Sequence, residues 1–320
     1  MSYKEKRILV TGGSGFVGKH LLRELKAQNP AAIQVTKLPS ENINASELSD
    51  AQLRDLDILS EADTKKCIRD FKPDFLFHLA AQSSVGLSFQ KPELTIQINL
   101  IGLLHILEAL REYSPYCRLL LIGSSEQYGI VDLSQMPIHE NISVSPVSPY
   151  AVSKMAAEAL ARTYQKSYSL QSVMVRAFNH IGPGQAAGFV VSDFARQIAL
   201  IENGQQEPIM WVGNLSAQRD FTDVRDIVRA YQFLMLQGKA GEVYNIGSGK
   251  SYSVQYILDT LLSFSQKPVL VKMDPEKMRP AEVPYIQADT TKIYKDTGWK
   301  PEIPIEASLQ DALSYWRLNV

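Results

Sequence analysis

The apolar run Ile8-Leu9-Val10, followed at once by Thr11-Gly12-Gly13-Ser14-Gly15-Phe16-Val17-Gly18, constrains this chain more than any other stretch. The apolar run suits a buried strand and the glycines a tight turn. The spacing of Phe16, Val17, Leu21, Leu22 and Leu25 suits one face of a helix over 16–28. Strand, glycine turn and helix in that order aim a helix N-terminus and a row of backbone N–H groups at one point. That arrangement holds the pyrophosphate of a dinucleotide. Gly12, Gly15, Phe16, Val17 and Gly18 are therefore the first candidate cofactor residues.

Apolar strands and amphipathic helices alternate through the first half. Strands are expected at 8–10, 33–36, 74–81, 118–123 and 172–176, and helices at 16–28, 62–71, 94–113 and 150–168, with a polar irregular stretch at 38–53. Repeated βα units with apolar strands imply a parallel sheet covered on both faces. The rhythm breaks after Phe178, at the Gly/Pro loop Asn179-His180-Ile181-Gly182-Pro183-Gly184. Helices near 191–201, 224–236 and 305–316 and short strands at 209–212 and 243–246 follow. The expected fold is α/β, a Rossmann-type doubly wound parallel sheet with a smaller mixed α/β substrate lobe. Residues 1–178 plus 224–247 are assigned to dinucleotide binding. Residues 179–223 plus 248–320 form the lobe, a lid over the cleft.

Tyr150-Ala-Val-Ser-Lys154 sets a phenol and an ammonium on one helix face. The lysine can depress the phenol's pKa and make Tyr150 a usable proton donor or acceptor near neutral pH. Leu119-Leu120-Leu121-Ile122-Gly123-Ser124-Ser125 is an apolar strand ending in two serines. A hydroxyl at that end of a parallel strand sits at the crevice where open sheets bind ligands. Ser124, Tyr150 and Lys154 then form a triad suited, beside a dinucleotide, to hydride transfer at a carbonyl or alcohol.

In order and spacing, Gly12-x-x-Gly15-x-x-Gly18, Ser124 and Tyr150-x-x-x-Lys154 resemble the extended short-chain dehydrogenase/reductase family over essentially the whole chain. The resemblance implies that Ser124 hydrogen-bonds the reacting oxygen and Tyr150 transfers the proton. It implies that Lys154 binds the nicotinamide ribose and lowers the tyrosine's pKa, so Tyr150 and Lys154 also count as cofactor residues. It further implies that Asp57-Ile58 reaches the adenine and that Leu79-Ala80-Ala81 floors the cofactor cleft. Asn99 is read as bracing the sheet. NAD-preferring sites place an acid at the end of the second strand, but Val35-Thr36-Lys37 carries none before Glu41. Lys37 is either a cation for a 2′-phosphate or a solvated loop charge. NADPH is the expected cofactor, with NADH possible.

The segment 176–185, Arg-Ala-Phe-Asn-His-Ile-Gly-Pro-Gly-Gln, looks like the nucleotide-sugar branch of that family, in which the asparagine, here Asn179, reaches the sugar diphosphate. Arg219, in Arg219-Asp220-Phe221-Thr222-Asp223, offers a fork for diphosphate. Arg279-Pro280-Ala281-Glu282-Val283-Pro284 offers a second arginine, and Glu282 can accept from both ribose hydroxyls. These stretches, with Gly123-Ser124-Ser125-Glu126-Gln127-Tyr128-Gly129 and Gly188-Phe189-Val190, are most similar to reductases that turn GDP-4-keto-6-deoxy-D-mannose into GDP-D-rhamnose. Ser125 and Glu126 would then touch the sugar. The branch's GDP-mannose 4,6-dehydratases carry Thr-x-Glu at this strand end, the glutamate removing the C5 proton. Here the acid is kept as Glu126, with Ser124 for the threonine, so a dehydratase stays open beside the preferred role of hydrogen-bonding a sugar hydroxyl. A 4-epimerase and a non-catalytic nucleotide-binding regulator are further alternatives. A complete proton-donor triad argues against the regulator, since a sensor has no need of one.

Of the 320 residues, 45% are hydrophobic and 21% charged, as in soluble globular proteins. A net charge of −1 gives no support for nucleic-acid or membrane-surface partners. No apolar run approaches the roughly 20 residues needed to span a bilayer. Residues 1–7 lead straight into the first strand and leave no room for a signal peptide. Cys67 and Cys117 are isolated and the five histidines lack zinc spacing, so no metal and a reduced, cytoplasmic setting are expected. Ile98, Ile101, Leu104, His105 and Leu107 on one helix, and Ala156, Ala157, Leu160, Ala161 and Tyr164 on another, exceed what one sheet face can cover. The resemblance implies a homodimer through a four-helix bundle of these helices. Otherwise segment 38–53 covers them.

Overall fold

A computed structural model describes residues 1–43, 48, 51–275 and 284–320. Its centre is a seven-stranded sheet, built from β1 (Arg7–Thr11), β2 (Ala32–Lys37), β3 (Gln52–Asp55), β4 (Phe75–His78), β5 (Arg118–Ser124), β6 (Gln171–Ala177) and a late strand, Val243–Ile246. All pairings are parallel, and the spatial order runs from the late strand through β6, β5, β4, β1 and β2 to β3. Helices α1 (Phe16–Lys26), α2 (Glu61–Phe71), α3 (Val85–Gln90), α4 (Pro92–Ile96), α5 (Gly102–Tyr113) and α6 (Pro149–Tyr168) connect the strands. Because both faces are covered, the central strands are apolar throughout rather than alternating. Ile8, Val10 and Phe77 pack with Leu21, Leu25, Val228 and Tyr231 on one face. Leu9, Leu76 and Leu119 pack with Ile68, Leu107, Ala157 and Ala161 on the other.

The remaining elements, in chain order, are β7 (Asn179–Ile181), α7 (Val190–Glu202), β8 (Ile209–Val212), β9 (Gln218–Asp223), α8 (Val224–Gln237), β10 (the late strand), β11 (Ser251–Ser253), α9 (Val254–Ser263), β12 (Leu270–Met273), α10 (Thr291–Thr297) and α11 (Ile305–Arg317). α8 packs against the large sheet. β11, β9 and β7 form a three-stranded sheet, and β12 pairs with β8. Ile181, Phe194, Ile198, Met210, Phe221, Ile257 and Leu309 build the separate core of this smaller part.

The doubly wound parallel sheet is as expected; several small elements are not. β3, in the stretch read as irregular, is a four-residue edge strand whose Gln-Leu-Arg-Asp has no fully buried residue, and a polar edge strand has no hydrophobic pattern to read. The start of the Gly/Pro loop is strand β7, fixed by pairing with β9 rather than by its own residues. The long helix also differs. Pro92–Tyr113 runs as one 22-residue helix, long and apolar enough by composition to cross a bilayer, where no such run was expected. Leu103, Ile106, Leu107 and Ala109 are sealed in the core against the sheet, so it is a core helix. Its middle, Gln97–Ile101, widens into a π-turn. Cys67 and Cys117 are buried free thiols, pushed up by burial.

Candidate active site

From β1 the chain winds outward to β2 and β3, then returns to β4 on the other side of β1. The reversal opens a crevice at the carboxyl ends of β1 and β4. Thr11 and His78 end these strands in register, and Thr11 Oγ1 lies 2.7 Å from His78 Nδ1. Burial, with the charge of Lys154 adding to it, pushes His78 down to about 3, so this link is neutral at physiological pH. Gly12 follows with φ +64°, and a Cβ there would lie 2.7 Å from the Ala80 backbone. The turn and the segment Leu79-Ala80-Ala81 therefore touch, as expected of a cradle and its floor. Gly18 lets α1 sit on the turn, since its Cβ would lie 2.4 Å from Gly13 O. Gly15 has no such internal reason: its φ is −71° and a Cβ would meet only Gly12 O, at 3.4 Å. Glycine there keeps the space above the turn clear. No side chain caps α1 and no acid lies in its first turn, which suits an incoming pyrophosphate. These residues fit a dinucleotide.

Phe16 and Val17 begin α1 half-buried. The Phe16 ring stacks on His180 at 6.1 Å and 11°. One turn on, His20 Nε2 lies 2.8 Å from Pro183 O. Asp57 is exposed, with Oδ1 accepting from Leu59 N–H at 2.9 Å. Ile58 is core, packed where Gly102 leaves room. Lys37 is not the solvated loop charge of the second expectation. Its side chain is 12% exposed and its Nζ lies 2.6 Å from Asp55 Oδ1, so the cation is already paired. The cause is β3: the unforeseen edge strand places Asp55 opposite Lys37.

Ser124 ends β5 beside α6, which begins where Ser148 accepts from Ala151 N–H at 3.1 Å and Pro149 takes the first turn. Tyr150 therefore lies in the first turn and Lys154 one turn later. The Tyr150 phenol is buried, with the Ser124 side chain beside it. Ser124 Oγ accepts from Glu126 N–H at 3.2 Å. Lys154 Nζ donates to Ile122 O at 2.8 Å and lies 6.0 Å from the Tyr150 ring centre. The expected depression of the phenol does not occur. Burial pushes Tyr150 up to about 12, with the neighbouring Ser124 side chain opposing the rise. Lys154 is itself pushed down to about 8 by burial. Desolvation is the largest cause of both shifts, because both groups are enclosed.

Asn99 braces the catalytic helix rather than the sheet. In the π-turn, its Nδ2 donates to Gln82 O and Ser153 Oγ, both at 2.9 Å, while its Oδ1 accepts from Gln82 N–H at 2.8 Å. Ser153 Oγ in turn donates to Tyr150 O at 2.7 Å. Such π-turns recur at functional sites.

On the substrate side, Ser125 is buried and Glu126 half-buried in the 3₁₀ turn Ser125–Tyr128. The Glu126 charge reaches Tyr150 and contributes to its upward shift. Asn179 is exposed at the start of β7, and Arg219 on β9 donates from Nη1 to Gln218 O at 2.9 Å. Arg279 and Glu282 lie outside the described residues.

The sequence reading missed the support under Ser124. Gln127 Oε1 accepts from Ser124 N–H and its Nε2 donates to Glu158 Oε2, each at 2.9 Å. Arg176 grips the same carboxylate with two bonds of 2.8 and 2.9 Å. Burial alone would push Glu158 up, but Arg176, Gln127 and Arg162 together outweigh it and hold the carboxyl below its usual range. One signal was available: Tyr150, Lys154 and Glu158 are spaced four apart on one helix face.

The chain matches the GDP-mannose 4,6 dehydratase family over residues 9–312. It is 38% identical over 316 residues to the GDP-6-deoxy-D-mannose reductase of Pseudomonas aeruginosa, covering 98% of both chains. It superimposes on RMD from Pseudomonas aeruginosa, solved in complex with NADPH, with a TM-score of 0.86, 36% identity, and coverage of 98% of this chain and 100% of that one. The UDP-glucose 4-epimerase of Thermus thermophilus, solved with NAD, gives a TM-score of 0.87 at 26% identity over 98% of this chain and 100% of that one. With the glycine cradle at the sheet's reversal and a serine, tyrosine and lysine converging beside it, this chain belongs to the GDP-mannose 4,6 dehydratase family, within the extended short-chain dehydrogenases/reductases.

Proposed function

We propose that this protein reduces the 4-keto group of GDP-4-keto-6-deoxy-D-mannose to give GDP-D-rhamnose. The carrying observation is the buried Ser124–Tyr150 pair, whose phenol keeps its proton through neutral pH. A reductase needs such a donor, because the oxygen left by hydride addition must be protonated. NADPH would supply the hydride; Gly12, Gly15 and the start of α1 would hold its pyrophosphate, with Leu79, Ala80 and Ala81 beneath. Tyr150 donates its proton to the sugar oxygen. Ser124, whose Oγ already accepts from Glu126 N–H, turns its own proton to that oxygen. Lys154 orients the ribose. Residues 1–178 with 224–247 bear the cofactor; Asn179 and Arg219, with Arg279 and Glu282, bear the nucleotide sugar. The likeness to the Pseudomonas aeruginosa reductase supports this substrate. The test is incubation with NADPH and the GDP-4-keto sugar, followed by NMR of the product. The 4-hydroxy sugar is expected, and recovery of unchanged keto sugar sinks the proposal.

The proximity of Glu126 to Tyr150 keeps dehydration as a second reading. A dehydratase base would let the enzyme convert GDP-mannose to the keto sugar without added reductant. Little or no conversion is expected; rapid catalytic accumulation of keto sugar would replace the reductase reading.

We also propose a homodimer. Ile101 and Val152 are exposed on the two helices, and Ile98, Leu104, Ala156 and Leu160 are half-buried, while Leu107, Ala157, Ala161 and Tyr164 belong to the core. The face left for a partner is thus narrower than the sequence suggested. Sedimentation velocity at micromolar concentration should give a single species of dimer mass, and a monomer would refute the assembly.

A further inference from the structure

The corner between the glycine turn and the end of β2 contains an acid that sequence order had set aside. Glu41 lies beyond the strand, yet its carboxylate folds back over the turn. One oxygen, Oε2, accepts from Ser14 Oγ at 2.8 Å and from Leu38 N–H at 3.2 Å. Glu41 N–H donates to Leu38 O at 3.0 Å, closing the loop that brings the side chain round. Two donors from separate elements thus converge on a single anionic oxygen. Lys37, next door, is committed to Asp55 and to Leu38 O. A preference for a phosphorylated cofactor therefore cannot rest on Lys37 as an uncommitted cation.

The end of the second strand is where a bound dinucleotide presents its adenosine 2′ position. A carboxylate in that place accepts from a 2′-hydroxyl. It repels a 2′-phosphate, and it also holds the donors a phosphate would need. Resting on the dinucleotide reading above, we propose that Ser14 Oγ and Leu38 N–H form the seat for the cofactor's 2′ substituent, and that Glu41 decides which substituent is admitted. Docked, Glu41 accepts from the hydroxyl of NADH. Displaced, it yields both donors to the phosphate of NADPH. Glu41 is then a specificity-determining residue that handicaps NADPH binding, and NADH remains usable because of it.

Direct titration of the full chain with NADP⁺ and NAD⁺ by calorimetry tests this without any turnover. Glu41→Gln keeps the side chain's shape but removes its charge. It should tighten NADP⁺ by about tenfold, the scale of one charge-assisted hydrogen bond, and leave NAD⁺ unchanged or weaker. Ser14→Ala should weaken NADP⁺ selectively. Unaltered or weaker NADP⁺ binding in Glu41→Gln, or equal gains for both dinucleotides, overturns the role of Glu41 while leaving the reductase reading intact. Wild-type protein that binds neither dinucleotide overturns both.

Discussion

Replacing Tyr150 by Phe should cut turnover by about 10²–10⁴-fold, the usual worth of a positioned general acid, and leave dinucleotide affinity near wild type. The phenol is buried beside Ser124 and is pushed up to about 12, so it stays protonated across neutral pH and its loss removes a donor already in place. Loss of this one hydroxyl leaves the ring's packing intact. The effect should therefore fall on kcat, with KM for the sugar little changed. The wild-type pH profile adds a signature. Lys154 is pushed down to about 8 by burial and loses its charge as pH rises past that value. Activity that depends on the charged lysine should then decline on the alkaline side of about 8, well before Tyr150 itself titrates. A Phe variant with near-normal kcat would remove Tyr150 from the proton-donor role.

The second large effect is expected at Glu158. Its carboxylate is almost fully enclosed and holds Arg176 with two hydrogen bonds and Gln127 with one. Glu158→Leu leaves a buried guanidinium without its anion, and breaking such a pair costs about 3–5 kcal/mol. It also releases Gln127, whose other end fixes the Ser124 N–H, so kcat should fall along with stability. Joining it to Arg176→Met should restore part of the lost stability, because the one cation then left without Glu158, Arg162, is exposed enough to be solvated. Urea unfolding of the two single variants and the double variant measures this. A double variant whose loss equals the sum of the singles would show that the pair is not energetically coupled.

The sheet was legible because its strands are buried on both faces and spell themselves out as apolar runs, as in Leu119-Leu120-Leu121-Ile122. The triad was legible because its spacing is local: Tyr150 and Lys154 lie one helical turn apart, and Ser124 ends an apolar strand. What was hidden depends on residues far apart in sequence. Arg176 and Gln127 meet at Glu158 only once β6, α6 and the turn after β5 are adjacent. The ion pair of Lys37 was hidden because Asp55 reaches it from an edge strand too polar to announce itself. Glu41 was passed over because distance along the chain from β2 is not distance from the glycine turn. The fate of the phenol was misjudged for another reason: an i,i+4 pair specifies proximity, whereas the sign of the pKa shift depends on how much water the fold leaves around it.

Phe16 has one further consequence. It is the first residue of the helix that follows the glycine turn, and its ring lies flat on His180, the neighbour of Asn179. One turn on, His20 meets the backbone of the same loop. Burial lowers the proton affinity of both histidines, so the seam is uncharged at neutral pH and rests on packing and a hydrogen bond to Pro183 rather than on ion pairing. Salt, which weakens exposed ion pairs, has little purchase on such a joint. The helix that leaves the glycine turn and the loop that follows β6 thus share one joint, and an alteration to either side of it is felt on the other.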